Sequence, residues 1–374
     1  QVLPVAARLP SGALGGAWLS VYSGLGAGLV GGVVGAETDV LGDQVRVFRR
    51  GVGGASTEVS TIPILGVWKI ARSAVKLAEV AVSTWLSRNT GRSFAPAPAA
   101  EIAGGSVHRC VRWASGSGDA FVKLATTDRL TALEAEAAGL QALAGADALR
   151  VPAVLAVGQA GGHALLALEW LDLGAPVASD GALQALLGER LAMQHRMTAP
   201  RCGWHCDNTI GATPQLNEWD DDWVRFFRER RLGFQLDLAA ANGLDSRVVE
   251  RGLELGERCG AFFSSYRPVP SLLHGDLWGG NWGVLSGSRE PAIFDPAVYY
   301  GDRETDLAMT RLFGGFGPRF YAAYQATWPL DQAAGTRCTL YNLYHVLNHF
   351  NLFGGGYGRQ AEGMIEQLLA ALGG

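Results

Sequence analysis

The sequence predicts an α+β chain of two lobes, a small antiparallel sheet carrying one helix followed by a larger, mainly helical lobe. Three observations predict it. Two pairs of short β-rich runs bracket one amphipathic helix early in the chain. The pattern beyond Leu173 turns mainly helical, and within it two short apolar segments each lead into an acidic residue, Asp276 and Asp295. With 374 residues, 48% apolar and 18% charged, the composition is that of a folded globular protein. A net charge of -4 supplies no global basic field, which argues against nucleic acid or a membrane surface as the main partner; any phosphate binding must be local.

Residues 1–75 read as a Gly-rich, poorly ordered extension of unassigned role. Ser11 to Ala36 is uncharged and long enough to span a bilayer, but recurrent glycine lowers both its hydrophobicity and its helix propensity. A helix is expected from Lys76, with Leu77, Val80, Val82, Trp85 and Leu86 at roughly helical spacing, ending at Asn89-Thr-Gly91. After a Pro/Ala linker from Ala95 to Ala100, strands are expected at Val107 to Trp113 and Ala120 to Ala125, joined by the turn Ser115 to Asp119. A helix from Thr127 to Ala144 places Leu130, Leu133, Ala137, Leu140 and Leu143 on one face. Strands at Val154 to Val157 and His163 to Trp170 complete the first lobe, 76–172, leaving 173–374 for the second. The five scattered cysteines fit reduced thiols in a cytoplasmic protein, and nothing completes a zinc site around Cys202, His205 and Cys206.

The chemistry concentrates in His274-Gly-Asp276-Leu-Trp-Gly-Gly-Asn281 and in Asp295 behind it. An Asp followed five positions later by Asn, then a second Asp after a short strand, is the spacing of a kinase catalytic loop and its metal ligands. Asp276 is the expected base, and Asn281 and Asp295 the expected holders of Mg2+ on ATP. Lys123 lies inside an apolar strand, where a cation needs an anion to meet it. Glu136 flanks the apolar helix face while Glu134 points away, so Glu136 is the expected partner. Gly104, Gly105 and Ser106 form a candidate phosphate-covering turn. Glu169 to Leu171, between the lobes, is where adenine should meet backbone groups. The layout as a whole is a bilobal protein kinase-like fold.

On these motifs the chain resembles the fructosamine kinases, which are similar in fold to aminoglycoside phosphotransferases and choline kinases. The likeness also rests on Gly203-Trp-His-Cys-Asp-Asn-Thr-Ile-Gly211, on Ile293-Phe-Asp-Pro-Ala297 with Glu304 to Leu307 behind it, and on Tyr341 to Asn351. It implies ATP-dependent phosphorylation of the sugar 3-hydroxyl of a ketosamine, as a small molecule or on a glycated protein lysine. It also implies Trp204, Asn208, Trp223, His274, Trp278, Tyr344, His345 and His349 as candidates for the substrate pocket. Where some members of that family carry a redox-active cysteine in the glycine turn, this chain has Ser106. Two other readings compete. A phosphotransferase for aminoglycosides or amino alcohols would use the acidic run Asn217 to Asp222 against a polycation, and a catalytically silent nucleotide-binding module would keep the fold alone.

Overall fold

In the computed structural model the chain divides into two units, Gln1–Trp85 and Leu86–Gly374. The structure describes residues 4–8, 18–22, 36–41, 44–50, 56–102, 108–174 and 180–373, with side chains described from residue 75 onward. In the first unit β1 (Pro4–Arg8) pairs antiparallel with β2 (Trp18–Tyr22), and β4 (Gln44–Arg50) lies between β3 (Ala36–Leu41) and β5 (Ser56–Pro63). Most of the uncharged run Ser11 to Ala36 lies outside the described residues. Among the described residues no helix is long and apolar enough to cross a membrane.

Helix α1 (Ile64–Thr90) begins well before the expected Lys76, directly after Pro63, which can precede a helix but not continue one from inside. It ends as expected. The Gly91 N–H donates to the Ser87 carbonyl at 3.1 Å and Gly91 adopts φ +70°, the left-handed stop that favours glycine.

The second unit opens with a five-stranded antiparallel sheet of β6 (Ala100–Ile102), β7 (Arg109–Trp113), β8 (Ala120–Ala125), β9 (Val154–Ala160) and β10 (His163–Glu169), in the order β6-β7-β8-β10-β9. β6 starts where the Pro/Ala linker ends and was not anticipated. Three residues with only one partly buried give too little alternation to read. The turn into β8 is held by Asp119, which accepts from the Ser115 N–H at 2.9 Å and from Arg112. Helix α2 (Leu130–Gly145) follows a short 3-10 turn and buries Leu133, Ala137, Leu140 and Leu143.

The larger lobe begins with α3 (Gly181–Gln194), capped by Asp180, whose carboxylate accepts from the N–H groups of Ala182 and Leu183. A hairpin of β11 (Asn208–Ile210) and β12 (Thr213–Gln215) precedes α4 (Trp223–Phe227), which continues through a π-helical turn into α5 (Phe234–Ala241), and α6 (Ser246–Arg258) comes next. Two strand pairs then frame the loop from His274 to Asn281. β13 (Pro270–Leu273) pairs with β16 (Tyr299–Asp302), and β14 (Trp282–Val284) with β15 (Pro291–Ile293). Helices α7 (Glu304–Leu312), α8 (Pro318–Thr327), α9 (Ala334–Phe353) and α10 (Tyr357–Ala371) complete the lobe. One apolar core runs through both lobes, joining Leu140 and Leu143 of α2 to Leu191, Phe226, Leu272 and Leu347.

Two helix contacts have no room for a side chain. At Gly139 in α2, a Cβ would stand 2.9 Å from the Val298 side chain and 3.9 Å from Pro296. At Gly188 in α3, a Cβ would fall 2.1 Å from the Phe320 carbonyl oxygen, and backbone cannot step aside. Gly188→Ala must therefore push α3 and α8 apart, at a cost of about 3 kcal/mol or more. A drop in Tm of roughly 5 °C or more is expected by thermal unfolding. Gly145→Ala, where nothing lies within 4 Å, should leave Tm level or raised.

Candidate active site

Lys123 projects from the central strand β8, where its Cα partners are Cys110 and Leu166. Its Nζ lies 2.8 Å from Glu136 Oε1 of α2 and 2.8 Å from Asp295 Oδ1, beyond β15 in the other lobe. Burial alone would depress this lysine, but the two carboxylates outweigh it and hold the ammonium charged far above the usual lysine range. Glu134 is exposed, as the helix spacing predicts.

The loop from His274 to Asn281 hangs from one buried carboxylate. Asp306, at the start of α7, accepts from the His274 N–H at 2.7 Å and the Gly275 N–H at 2.8 Å, and meets His195 Nε2 at 3.1 Å. Burial would raise this carboxyl, yet the bonds from His195 and the loop N–H groups prevail and keep it below the usual range. Gly275 adopts φ +83°, and a Cβ there would fall 2.0 Å from the Ala297 carbonyl oxygen, so the sharp turn into Asp276 requires glycine. His274 braces the same turn from beneath. Its Nε2 donates to the Phe294 carbonyl at 3.0 Å and its Nδ1 accepts from the Asp276 N–H at 3.3 Å, which fixes a neutral tautomer; burial keeps the ring neutral by lowering its pKa.

Asp276 is pushed up to about 8, first by burial and then by the negative charge of Asp295. Asn281 ties the two acids together. Its Nδ2 donates to the Asp276 carbonyl at 2.8 Å, with longer contacts to Asp276 Oδ2 at 3.2 Å and the Asp295 carbonyl at 3.4 Å. Asn281 Oδ1 is the end of the amide left for a cation. Asp295 sits at φ +56°, a strained region for a non-glycine residue, and its side chain is 44% exposed to the cleft. An amide oxygen, an open carboxylate and a surplus of negative charge are a donor set suited to Mg2+, which takes few protein ligands and completes its shell with water and phosphate.

Lys123, Glu136, Asn208, Asp276, Trp278, Asn281 and Asp295 line one cleft. An adjoining apolar cleft between the lobes is walled by Ile102, Phe121, Leu168, Leu173 and Phe294, beside Glu169 and Leu171. There the Glu169 N–H is committed to the Ala153 carbonyl at 2.8 Å and the Trp170 N–H to Asp119 at 3.3 Å. The Leu171 N–H makes no hydrogen bond among the described residues. Gly104, Gly105 and Ser106 lie outside the described residues.

Five of the residues expected in the substrate pocket are instead buried supports. Trp223 donates from Nε1 to the Tyr341 hydroxyl at 3.0 Å, and the Tyr344 hydroxyl donates to Gln215 Oε1 at 2.8 Å. Trp204, 7% exposed, packs on Tyr300, and His274 and His345 are buried. Burial pushes His345 down to about 3, so it stays neutral. Periodicity and aromatic content do not separate a wall from a core, and here the core claimed these rings. His349 is half-buried, with Nδ1 bonded to the His345 carbonyl at 2.8 Å, so the two histidines form no metal pair. Among the described residues no group of three or more His, Cys, Asp or Glu side chains is placed to hold a metal ion. Asp306 and His195, which carry the loop, were missed. The signal was the acid in the Glu304 to Leu307 motif, whose partners lie far away in sequence.

The acidic run is spent internally. Asp220 takes two bonds from Arg225, at 2.9 and 2.6 Å, Asp222 caps α4, Asp221 pairs with Arg201, and Glu218 pairs with Arg230.

Comparison with known proteins agrees with this architecture. A family model described as fructosamine kinase matches residues 78–371. A Synechocystis protein named a probable ketoamine kinase is 43% identical over 77% of this chain and 96% of its own. A chloroplastic protein-ribulosamine 3-kinase of Arabidopsis thaliana is 38% identical over 72% of this chain and 82% of its own. Among solved structures, one from Haemophilus somnus, described provisionally as a fructosamine-3-kinase, superposes with a TM-score of 0.70 at 27% identity, covering 77% of this chain and 97% of that one. An aminoglycoside phosphotransferase holding ADP and hygromycin B shares the fold alone, at a TM-score of 0.57 and 13% identity over 78% of this chain and 99% of its own. With its family match spanning both lobes of the second unit, the chain belongs to the fructosamine kinase family.

Proposed function

We propose that the protein is an ATP-dependent ketosamine 3-kinase, acting on fructosamine or ribulosamine adducts of lysine. The observation that carries the reading is the meeting, on one cleft, of Asp276 and Asn281 with the Lys123–Glu136–Asp295 ion pair. Adenine would lie in the apolar cleft against the Leu171 N–H and the Glu169 carbonyl, which directs the phosphates toward Lys123. Asn281 and Asp295 would hold Mg2+, which when bound offsets phosphate charge and stabilises the departing ADP.

Asp276 then has the reacting hydroxyl to orient. The sugar 3-oxygen bonds to the γ-phosphorus, the bond from that phosphorus to the β–γ bridging oxygen breaks, ADP leaves, and the hydroxyl proton passes to Asp276. In its ionised form Asp276 takes that proton, and because burial and Asp295 raise its proton affinity it is a stronger base than an ordinary carboxylate. An aminoglycoside acceptor is disfavoured because the acids that would meet its ammonium groups are already paired with arginines or capping a helix.

A phosphorylation assay with Mg-ATP tests the reading. Ribuloselysine and fructoselysine should be turned over, kanamycin and choline should not, and the reverse pattern overturns it. Asp276→Asn should lower kcat by about 10^2 to 10^4 with ATP affinity nearly intact, which also separates an enzyme from a silent module. Asp295→Ala should abolish magnesium-dependent ATP binding, read by calorimetry with and without the metal. Without nucleotide and with a chelator, the raised Asp276 destabilises the fold as pH climbs. Its neutral form contributes fully below the ordinary carboxylate range, and that contribution is lost as pH approaches about 8. The Tm advantage of Asp276→Asn over the parent should therefore grow between about pH 5 and 8, reaching about 2–6 °C.

A further inference from the structure

The cleft does not end at its polar floor. Trp278, which lines it and is 40% exposed, begins a chain of rings that leads out onto the surface. Its ring centroid lies 6.4 Å from Phe313, Phe313 lies 4.7 Å from His349, and His349 lies 5.6 Å from Phe353 and 5.2 Å from Tyr357. Phe313 closes α7 at 41% exposure and Phe353 closes α9 at 62% exposure. Leu352 joins the same end of α9 to the cleft mouth, its Cδ1 3.2 Å from where a Cβ of the cleft-lining Gly211 would stand. A connected row of rings running out of the cleft, exposed at Trp278, Phe313 and Phe353 and joined through the half-buried His349, is an expensive surface to leave in water, and such patches mark interaction sites.

We propose that this ledge is a docking surface for the polypeptide that carries the modified lysine, with Phe313 and Phe353 as specificity-determining residues. The inference rests on the ketosamine kinase reading and adds to it which form of acceptor is preferred. Continuity fixes the occupant. With the sugar hydroxyl at Asp276, the rest of the acceptor leaves the cleft past Trp278 and onto the rings. The rings follow one another from Trp278 through Phe313 and His349 to Phe353 at 6.4, 4.7 and 5.6 Å, so a polypeptide leaving the cleft past Trp278 meets them in succession. The chemistry agrees. A free amino acid would bring a zwitterionic α-carbon, which calls for charged partners. No guanidinium or ammonium stands over these rings among the described residues. Aromatic faces suit the uncharged backbone and apolar side chains of a peptide.

The test compares kcat/KM for a ribulosamine on the lysine of a capped, uncharged heptapeptide with kcat/KM for free ribuloselysine, in the full chain and in Phe313→Ala, Phe353→Ala and the double variant. The double variant should lose at least about tenfold on the peptide, as expected when ring anchors are removed, and less than about twofold on the free adduct. A Tm within a few degrees of the parent establishes that the variants fold. Equal losses on both acceptors, or no loss on the peptide, overturn the proposal. So does a parent dimer that the double variant dissolves while the ratio of the two acceptors stays fixed, since the ledge would then join two copies of the chain. If the parent phosphorylates neither acceptor, the ketosamine kinase reading itself falls; turnover with an unchanged ratio removes only the ledge.

Discussion

The second unit is organised around one buried ammonium. Lys123 draws a carboxylate from α2 and another from the loop beyond β15, 172 positions along the chain, to the same 2.8 Å. A lysine carried on the central strand of a sheet, with its side chain only 8% exposed, is unfavourable unless anions surround it, and the sheet alone supplies none. The two lobes therefore satisfy each other. The small lobe provides the cation, the large lobe the strained acid, and the helix between β8 and β9 the third corner.

The same arrangement leaves the cleft short of positive charge. Asp276, Asp295 and Glu136 face it with one lysine between them, and burial first, then the charge of Asp295, raise Asp276. The stress is tolerated because the loop cannot relax. Asp306 holds two of its N–H groups, His274 locks the turn to Phe294, and Gly275 takes a left-handed turn in which a Cβ would collide with the Ala297 carbonyl. A site built in this way is stable at its margins and carries uncompensated negative charge at its centre.

Much of this was legible in the sequence because it is local. The strand Ala120–Ala125, the apolar face of α2 and the choice of Glu136 over Glu134 follow from periodicities of two and of three to four residues. The spacing of Asp276, Asn281 and Asp295 needs only a loop and two short strands. What escaped depends on distant contacts. Trp204, Trp223 and Tyr344 belong to the core because Tyr300, Tyr341 and Gln215 arrive to cover them, and no local pattern announces that. Asp306 looks like an ordinary residue of a first helical turn until His195 and the loop backbone close on it. β6 and the hairpin of β11 and β12 are three residues long in each strand, too short for alternation to register.

The close approach at Gly139 fixes the seat of α2 on the larger lobe. This residue stands one turn after Glu136 and rests against Val298 and Pro296, the latter adjoining Asp295. Here the helix is seated directly on the strand connection that bears the other half of the pair, so rotating it outward would strip a packed contact and uncouple both acids at once. The contact between Lys123 and Glu136 is thus braced from behind by the packing of α2 on the segment that follows Asp295.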